Sequence, residues 1–190
     1  MSLRPDKSAL RRQARARRVA LAAPERARAE RRIADLLEQR RQAAGWRRVA
    51  AYLAVRSELD LSQWLAALPA EVALALPAID AGGILRFRAW RLGDALEAGA
   101  AGIPQPTAAA ERVEVCSLDA VILPLVGFDA ARHRLGSGAG HYDRALAGQA
   151  GRPPPPVLVG AAFSVQAVPA LPVDPWDVPL HAVVTEQGWV

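Results

Sequence analysis

The sequence predicts an α/β fold with a mainly parallel central sheet and a pair of N-terminal helices. Three observations support this: an Arg-rich helical start, short runs rich in Val and Ile further on, and helical stretches between those runs. With 190 residues, 52% of them hydrophobic, the chain is typical of one domain with a sizeable core. We therefore expect a single three-layer-type domain spanning residues 1–190.

Two helices are predicted at the start, within a basic helical arm of residues 1–44 that packs on the body. Residues 6–21 suit a helix opened by Asp6 or Ser8. Residues 24–43 suit a second helix with Pro24 at its first position.

Six short apolar runs between turn residues predict strands. They are residues 48–55, 72–79, 84–90, 120–126, 157–163 and 182–185. The last three are apolar on both faces, which favours parallel strands covered on both sides. Helical stretches at 61–68 and 141–149 suit the crossover connections of such a sheet. The Asp-Ala-Gly-Gly turn at 80–83 predicts an antiparallel hairpin at the sheet edge.

The charge of the chain is uneven. Residues 1–48 hold 15 Arg or Lys and 5 Asp or Glu, whereas the other 142 residues hold 9 and 14. Such an arm could bind nucleic acid, act as a transit peptide, or form helices with solvated Arg side chains. Its acidic residues and few hydroxyls suit a transit peptide poorly, and no aromatic residue precedes Gly45 to stack on a base. We favour solvated helices and expect no nucleic-acid partner.

No apolar run approaches the roughly 18 residues of a membrane span. A single cysteine, Cys116, cannot form an intrachain disulfide, and the three His residues lack the spacing of a zinc site. We expect a cytoplasmic monomer that acts on small molecules and has no membrane partner.

The most specific local feature is the glycine loop, residues 134–143. Glycines at alternate positions, Gly136, Gly138 and Gly140, let the backbone turn its N–H groups inward ahead of a helix. Such a nest binds phosphate. The loop lacks the spacing of a Walker or dinucleotide motif, and the alternative is a turn that only needs positive φ angles.

Four charged residues are candidates for chemistry near this loop. Lys7 is the sole lysine beside 23 arginines, and a compact ammonium suits phosphate, although Lys7 could also be an ordinary residue at a helix start. Asp143 could hold Mg²⁺ beside bound phosphate or only cap the helix. Asp177 lies between prolines, where Asp is usually a turn residue. Glu58 follows the first strand, at the end where α/β sheets bind ligands, although a single loop carboxylate is more often only solvated.

Six sequence blocks, in order, resemble the 5-formyltetrahydrofolate cyclo-ligase family. They are residues 7–11, 57–60, 102–106, 123–129, the glycine loop with Tyr142 and Asp143, and 171–177. The resemblance implies a fold similar to ribose-phosphate isomerases and CoA transferases. It also implies ATP- and Mg²⁺-dependent closure of 5-formyltetrahydrofolate to 5,10-methenyltetrahydrofolate, with ADP and phosphate released. A relative that binds folate or nucleotide without turnover is the alternative.

The resemblance further implies the site residues. The ATP contacts are Lys7, Ser8, Ala9, Leu10, Arg11, Arg134, Leu135, Gly136, Ser137, Gly138, Ala139, Gly140, His141 and Tyr142. The folate contacts are Leu53, Glu58, Ser137, Gly138, Ala139, Gly140 and His141. Asp143 and Asp177 are the implied Mg²⁺ ligands, and Arg134, His141 and Tyr142 are the implied catalytic residues.

The chain departs from the family pattern at four positions. Ser137 and Ala139 stand where relatives often have basic or large residues, His141 where they often have Tyr, and His181 where they often have an acid. These changes bear on rate, affinity and pH dependence more than on the type of reaction, because the glycines, Tyr142, Asp143 and Asp177 remain.

Overall fold

Two helices open the computed structural model, which describes residues 6–149 and 153–190. Helix α1 spans Lys7–Val19 and helix α2 spans Ala23–Ala44. The Asp6 carboxylate caps α1 by accepting two N–H groups of its first turn. Helix α2 begins one residue earlier than predicted, so Pro24 is its second residue, and Gly45 ends it at a left-handed φ of 67°.

Strands and two further helices make up the rest of the fold. Within the described residues, the strands are β1 (Arg48–Ala50), β2 (Ala73–Ile79), β3 (Leu85–Ala89), β4 (Leu96–Ala98), β5 (Pro104–Pro106), β6 (Arg112–Val113), β7 (Ala120–Pro124), β8 (Gly127–Phe128), β9 (Arg134–Leu135), β10 (Val157–Ala161), β11 (Ala182–Thr185) and β12 (Gly188–Trp189). The later helices are α3 (Ser62–Ala67) and α4 (His141–Leu146), and a 3₁₀ turn extends α4 over Ala147–Gln149.

The central sheet has the strand order β12-β11-β10-β7-β1-β2-β3-β6. The five strands from β11 to β2 are parallel, and β12, β3 and β6 are antiparallel to their neighbours. This confirms the prediction of a mainly parallel sheet beside an N-terminal helix pair. The predicted hairpin of β2 and β3 is also present, but β6 rather than β3 forms the edge of the sheet.

Side chains bury both faces of the parallel strands, as their composition predicted. Val49, Ile122, Val159 and Val184 belong to a core shared with Ile33 and Leu37 of α2. Their neighbours Ala50, Val121, Leu158 and Val183 face the other side, in a core with Phe87 and with Leu146 of α4. Successive residues alternate between the two cores because strand side chains have a period of two. Residues of α2 and α4 thus cover opposite faces.

The first strand is shorter than predicted, and its early end creates a loop. Strand β1 stops at Ala50 instead of residue 55, after a last ladder bond from the Ala51 N–H to the Ala75 carbonyl. The chain then leaves the sheet and turns at Arg56, whose φ is 56°. Residues 52–58 are therefore free to form the wall of a site.

No helix among the described residues is long and apolar enough to cross a membrane.

Gly160 in β10 offers a test of the packing between the sheet and the loops above it. A Cβ at this position would lie 2.6 Å from methyl groups of Leu125 and of Leu180, both of which are buried. We expect Gly160→Ala to lower the free energy of unfolding by about 1–3 kcal/mol, as overpacking does. Urea denaturation measures the change.

Gly148→Ala is the matched control, because no atom lies within 4 Å of the Cβ it would add. Equal stabilities of the two variants would show that Gly160 is not required by close packing.

Candidate active site

A cleft of about 750 Å³ lies where the parallel strands end. Its walls include Leu53 and Glu58 after β1, Ile79 at the end of β2 and Pro124 at the end of β7. The glycine loop and residues 174–178 complete the lining. The carboxyl ends of parallel strands are where open α/β sheets bind ligands, so the cleft is the candidate active site.

Arginines from outside the glycine loop donate hydrogen bonds to its carbonyl groups. Arg11 Nε donates to the Gly136 carbonyl at 2.9 Å, and Arg144 Nη1 donates to the Ala139 carbonyl at 2.9 Å. In a trans peptide the next N–H points away from the carbonyl. The following N–H groups are therefore turned away from these arginines and can serve as donors to an anion. Helix α4 has only six residues, so the loop amides carry this argument rather than a helix dipole.

Arg134 and Asp143 form an ion pair at the base of the loop. Arg134 Nη2 donates to Asp143 Oδ1 at 2.6 Å, and the Arg134 side chain is 5% exposed. The guanidinium lies 5.7 Å from the centroid of the Tyr142 ring. Burial raises the pKa of Tyr142 well above its ordinary value, so its hydroxyl stays protonated at neutral pH and can donate a hydrogen bond.

Lys7 links the start of α1 to a turn near the C-terminus. Its ammonium lies 2.7 Å from a carboxylate oxygen of Asp174 and 2.7 Å from one of Asp177. The Asp174 N–H donates to the same Asp177 oxygen at 2.9 Å. Partial burial lowers the pKa of Lys7, but the two carboxylates outweigh this and the pKa lies above its ordinary value. The bridge therefore persists at neutral pH.

Asp143 and Asp177, which the sequence implied as Mg²⁺ ligands, suit that ion. Hydrogen bonds to Asp143 end on Oδ1, from Arg134 and from the Val178 N–H at 3.4 Å. Those to Asp177 end on Oδ2. Among the described residues, the other oxygen of each carboxylate accepts no hydrogen bond and could serve as a ligand atom. Mg²⁺ commonly takes one or two carboxylates plus substrate phosphates. Within the described segments no group of three or more His, Cys, Asp or Glu residues could hold a metal alone.

Glu58 lines the same cleft, in a tight turn after β1. Its carboxylate accepts the Val55 N–H at 3.2 Å, and its own N–H donates to the Val55 carbonyl at 3.1 Å. Burial raises the pKa of Glu58, opposed by this hydrogen bond and by the nearby Arg18. A carboxylate in this position can accept hydrogen bonds from the amide and amino groups of a flat ring.

Asp129 joins the two loops that carry the polar end of the cleft. It is 4% exposed and lies between β8 and β9, just before the glycine loop. Its carboxylate accepts hydrogen bonds from Nδ1 of His133 at 2.9 Å and from the Leu171 N–H at 3.0 Å. Burial raises the pKa of Asp129, but these bonds outweigh it and hold the pKa below the ordinary value. Asp129 therefore attaches the segment before Asp174 to the hairpin of β8 and β9.

The family of the chain follows from comparison with known proteins. A sequence model described as the 5-formyltetrahydrofolate cyclo-ligase family matches residues 4–186. The chain belongs to this family. The cyclo-ligase of Escherichia coli strain K12 is 50% identical over 68 residues, which is 36% of each chain, and that of Haemophilus influenzae is 43% identical over 67 residues, or 35% of each. These alignments span about a third of the curated relatives' length.

Two solved structures share the fold over nearly the whole chain. The 5,10-methenyltetrahydrofolate synthetase of Aquifex aeolicus is 31% identical, with a TM-score of 0.82, and the match covers 96% of this chain and 91% of that one. The synthetase of Mycoplasma pneumoniae is 26% identical, with a TM-score of 0.74, and the match covers 96% and 99%.

Most of the site residues implied by the resemblance to the cyclo-ligase family line the cleft. Those that do are Lys7, Arg11, Leu53, Glu58, Asp177 and all ten residues from Arg134 to Asp143. Ser8, Ala9 and Leu10 are not among the lining residues. Ser8 and Ala9 are exposed, and Leu10 packs against a cluster of Leu135, Val168 and Leu171. Their roles as ATP contacts stay predictions.

His141 contacts an arginine of the helix that follows the glycine loop. Arg144 Nη2 lies 3.1 Å from His141 Nδ1. Because a guanidinium can only donate, this contact suits a neutral ring in which Nδ1 accepts and Nε2–H is a donor.

Sequence reasoning missed several polar or aromatic residues of the cleft, among them Asp174, Trp176 and Gln105. Asp174 and Asp177 both contact Lys7, and Trp176 between them lines the cleft and is 69% exposed. Gln105 is buried, and its side-chain oxygen accepts the Ile79 N–H at 2.9 Å. All three lie in or beside segments that the resemblance highlighted, but only contacts between distant segments bring them to the cleft.

Lys7→Met tests whether the bridge holds the two ends of the chain together. We expect residues 7–10 and 174–178 to exchange their amide hydrogens about two- to tenfold faster, because a partly exposed ion pair contributes roughly 1 kcal/mol to local stability. Hydrogen–deuterium exchange measures this. Arg12→Met on the same helix is the control, since Arg12 is exposed. Unchanged exchange in the Lys7 variant would show that the bridge does not restrain these segments.

Proposed function

We propose that this protein is an ATP- and Mg²⁺-dependent 5-formyltetrahydrofolate cyclo-ligase. It converts 5-formyltetrahydrofolate to 5,10-methenyltetrahydrofolate and releases ADP and phosphate. The observation that carries the proposal is a single cleft lined by the glycine loop, by the carboxylates of Asp143 and Asp177, and by Glu58. Membership of the family supports the same reaction.

The proposed reaction removes the formyl oxygen as phosphate. The formyl oxygen attacks the γ-phosphorus of ATP, the bond to the bridging oxygen breaks, and ADP leaves. N10 then bonds to the activated formyl carbon, the carbon–oxygen bond breaks, and the N10 proton accompanies the departing phosphate. Catalysis of such a transfer depends mainly on positioning and on neutralisation of charge.

The nucleotide end of the cleft has the groups that this chemistry needs. The glycine-loop amides would bind phosphate oxygens, with positive charge from Lys7, Arg11 and Arg134. Mg²⁺ held by Asp143 and Asp177 would neutralise charge on the phosphates. The protonated Tyr142 hydroxyl and the Nε2–H of His141 can donate hydrogen bonds to the transferring group.

Arginines outside the loop compensate for the small residues at positions 137 and 139. The side chains of Arg11, Arg15 and Arg144 reach the carbonyls of Gly136, Ser137 and Ala139. Three positive charges thus lie at the loop although positions 137 and 139 hold no basic residue. We infer that Ser137 and Ala139 are compatible with turnover for this reason.

The folate end would be formed by Leu53 and Glu58, with residues 137–141 facing the formyl group. Glu58 supplies an acceptor for the pterin amide and amino groups, and Leu53 supplies an apolar surface beside it. We also propose that residues 1–190 act as one domain, in a cytoplasmic monomer that has ready access to ATP.

An absorbance assay tests the reaction. Purified protein, 5-formyltetrahydrofolate, ATP and Mg²⁺ should produce the methenyl band, and leaving out any one component should abolish it. A flat trace from folded protein that binds ATP would instead indicate a relative that binds without turnover.

Asp143→Asn tests the metal site. Loss of one carboxylate charge beside the phosphates should lower kcat on the order of 100-fold at saturating Mg²⁺. Asp35→Asn is the control, since Asp35 is exposed on α2. Thermal unfolding verifies that both variants fold. An unchanged rate in the Asp143 variant would contradict the ligand assignment.

Glu58→Gln tests the folate end through pH. The raised pKa of Glu58 means that its carboxylate gains a proton at a higher pH than an ordinary Glu, and a protonated carboxyl is a poorer acceptor. The KM for 5-formyltetrahydrofolate should therefore rise as the pH falls through this pKa. The variant should have a high KM at neutral pH and lose that dependence, as measured by initial rates across pH.

Arg15, Arg18, Arg56, Tyr52 and Tyr142 are the charged or titratable groups that influence Glu58, and all of them are unchanged in this variant. Glu25→Gln, exposed at the start of α2, should follow the wild type. If the Glu58 variant kept the wild-type KM at neutral pH, Glu58 would not bind folate.

A further inference from the structure

Two arginines of the N-terminal helices, Arg18 and Arg26, reach the loop after β1 instead of solvent. Eleven arginines lie between residues 7 and 44. Arg18 is buried, with 6% of its surface exposed. Its Nε donates to the Ser57 hydroxyl at 3.3 Å, and its Nη1 lies 3.5 Å from the Leu125 carbonyl. The end of α1 is thereby attached to the loop after β1.

Arg26 reaches the same loop from α2. Its Nη1 donates to the carbonyls of Ser57 and Glu58, at 3.1 and 3.3 Å. Its Nη2 donates to the Arg18 carbonyl at 2.9 Å. The guanidinium also lies 4.6 Å from the centroid of the Phe163 ring, after β10. One planar group therefore joins α1, α2, the loop and the core, a geometry for which Arg is suited and Lys is not.

The loop needs such support because its own geometry is costly. Arg56 adopts a φ of 56°, and a residue other than glycine rarely adopts this region unless its surroundings hold it there. Inside the turn, Val55 and Glu58 are joined by a backbone bond and by the Glu58 carboxylate itself. The contacts from Arg18 and Arg26 fix Ser57 and Glu58 from the side away from the cleft.

The arginines also place positive charge near a carboxylate that burial disfavours. Burial raises the pKa of Glu58, and the charge of Arg18 counteracts this. The same pair of helices thus supplies both the position and part of the electrostatic environment of Glu58.

We propose that Arg18 and Arg26 are positioning residues that set the Glu58 carboxylate for the pyrimidine ring of the folate substrate. This inference rests on the proposed function. It assigns to the basic N-terminal helices a role in folate binding, distinct from the proposed phosphate contacts at Lys7 and Arg11.

Arg26→Gln is the central test, with steady-state kinetics for both substrates. We expect the KM for 5-formyltetrahydrofolate to rise about tenfold, as loss of hydrogen bonds from a charged group does, while the KM for ATP changes less than twofold. Arg26→Lys should recover only part of the loss, because an ammonium cannot hold both carbonyls and the Arg18 carbonyl in one plane. Arg28→Gln, exposed on the same helix, should match the wild type.

A double variant separates positioning from general weakening of the fold. If Arg26 acts through Glu58, the Glu58→Gln, Arg26→Gln double variant should have the same folate KM as Glu58→Gln alone. A multiplicative rise in the double variant, or equal rises in both KM values for Arg26→Gln, would overturn the proposal. Arg18→Lys serves the same comparison if the Arg26 variants do not fold.

The wild-type assay keeps this inference distinguishable from the proposed function. If the wild type turns over and Arg26→Gln leaves both KM values unchanged, the positioning role fails and the function stands. If the wild type does not turn over, equilibrium binding of 5-formyltetrahydrofolate replaces KM in the same comparisons. If the folded wild type neither turns over nor binds this folate, both the function and the inference are wrong.

Discussion

The five parallel strands are apolar on both faces, and the need to cover both faces sets the positions of the other elements. Residues of α2 fill one side through Ile33 and Leu37, and Leu146 of α4 joins the core on the other. A parallel arrangement also gathers the strand ends, and therefore the loops that follow them, at one edge. The cleft is a consequence of this arrangement: the loop with Glu58 follows β1, and Pro124 at the end of β7 leads toward the glycine loop.

The basic helices connect to these loops through individual arginines. Arg11 and Arg15 donate hydrogen bonds to carbonyls of the glycine loop, and Arg17 donates to the Ala167 carbonyl. Arg18 and Arg26 donate to Ser57 in the turn after β1. Part of the positive charge that the sequence concentrates in its first quarter is therefore used within the fold. This favours helices packed on the body over a free nucleic-acid-binding arm, although α1 and α2 retain exposed arginines such as Arg12 and Arg28.

Local patterns predicted much of the fold. The continuous apolar runs at 120–126 and 157–163 located β7 and β10, and Asp6 and Gly45 marked helix ends because caps depend on near neighbours in sequence. The early end of β1 was not predictable in this way. Residues 51–55 are as apolar as the strand before them, and only the pairing of β1 with β2 and β7 shows where the ladder stops.

The sequence by itself determined the fold class, the glycine loop and, through resemblance to the family, residues expected at the site. The tertiary structure decided which charges meet. Lys7 lies 170 positions from Asp177, and Arg18 lies 39 from Ser57, so no spacing rule could pair them. Periodicity and caps are short-range properties of the chain, whereas these ion pairs and hydrogen bonds exist only after the sheet and its covering helices bring distant loops together.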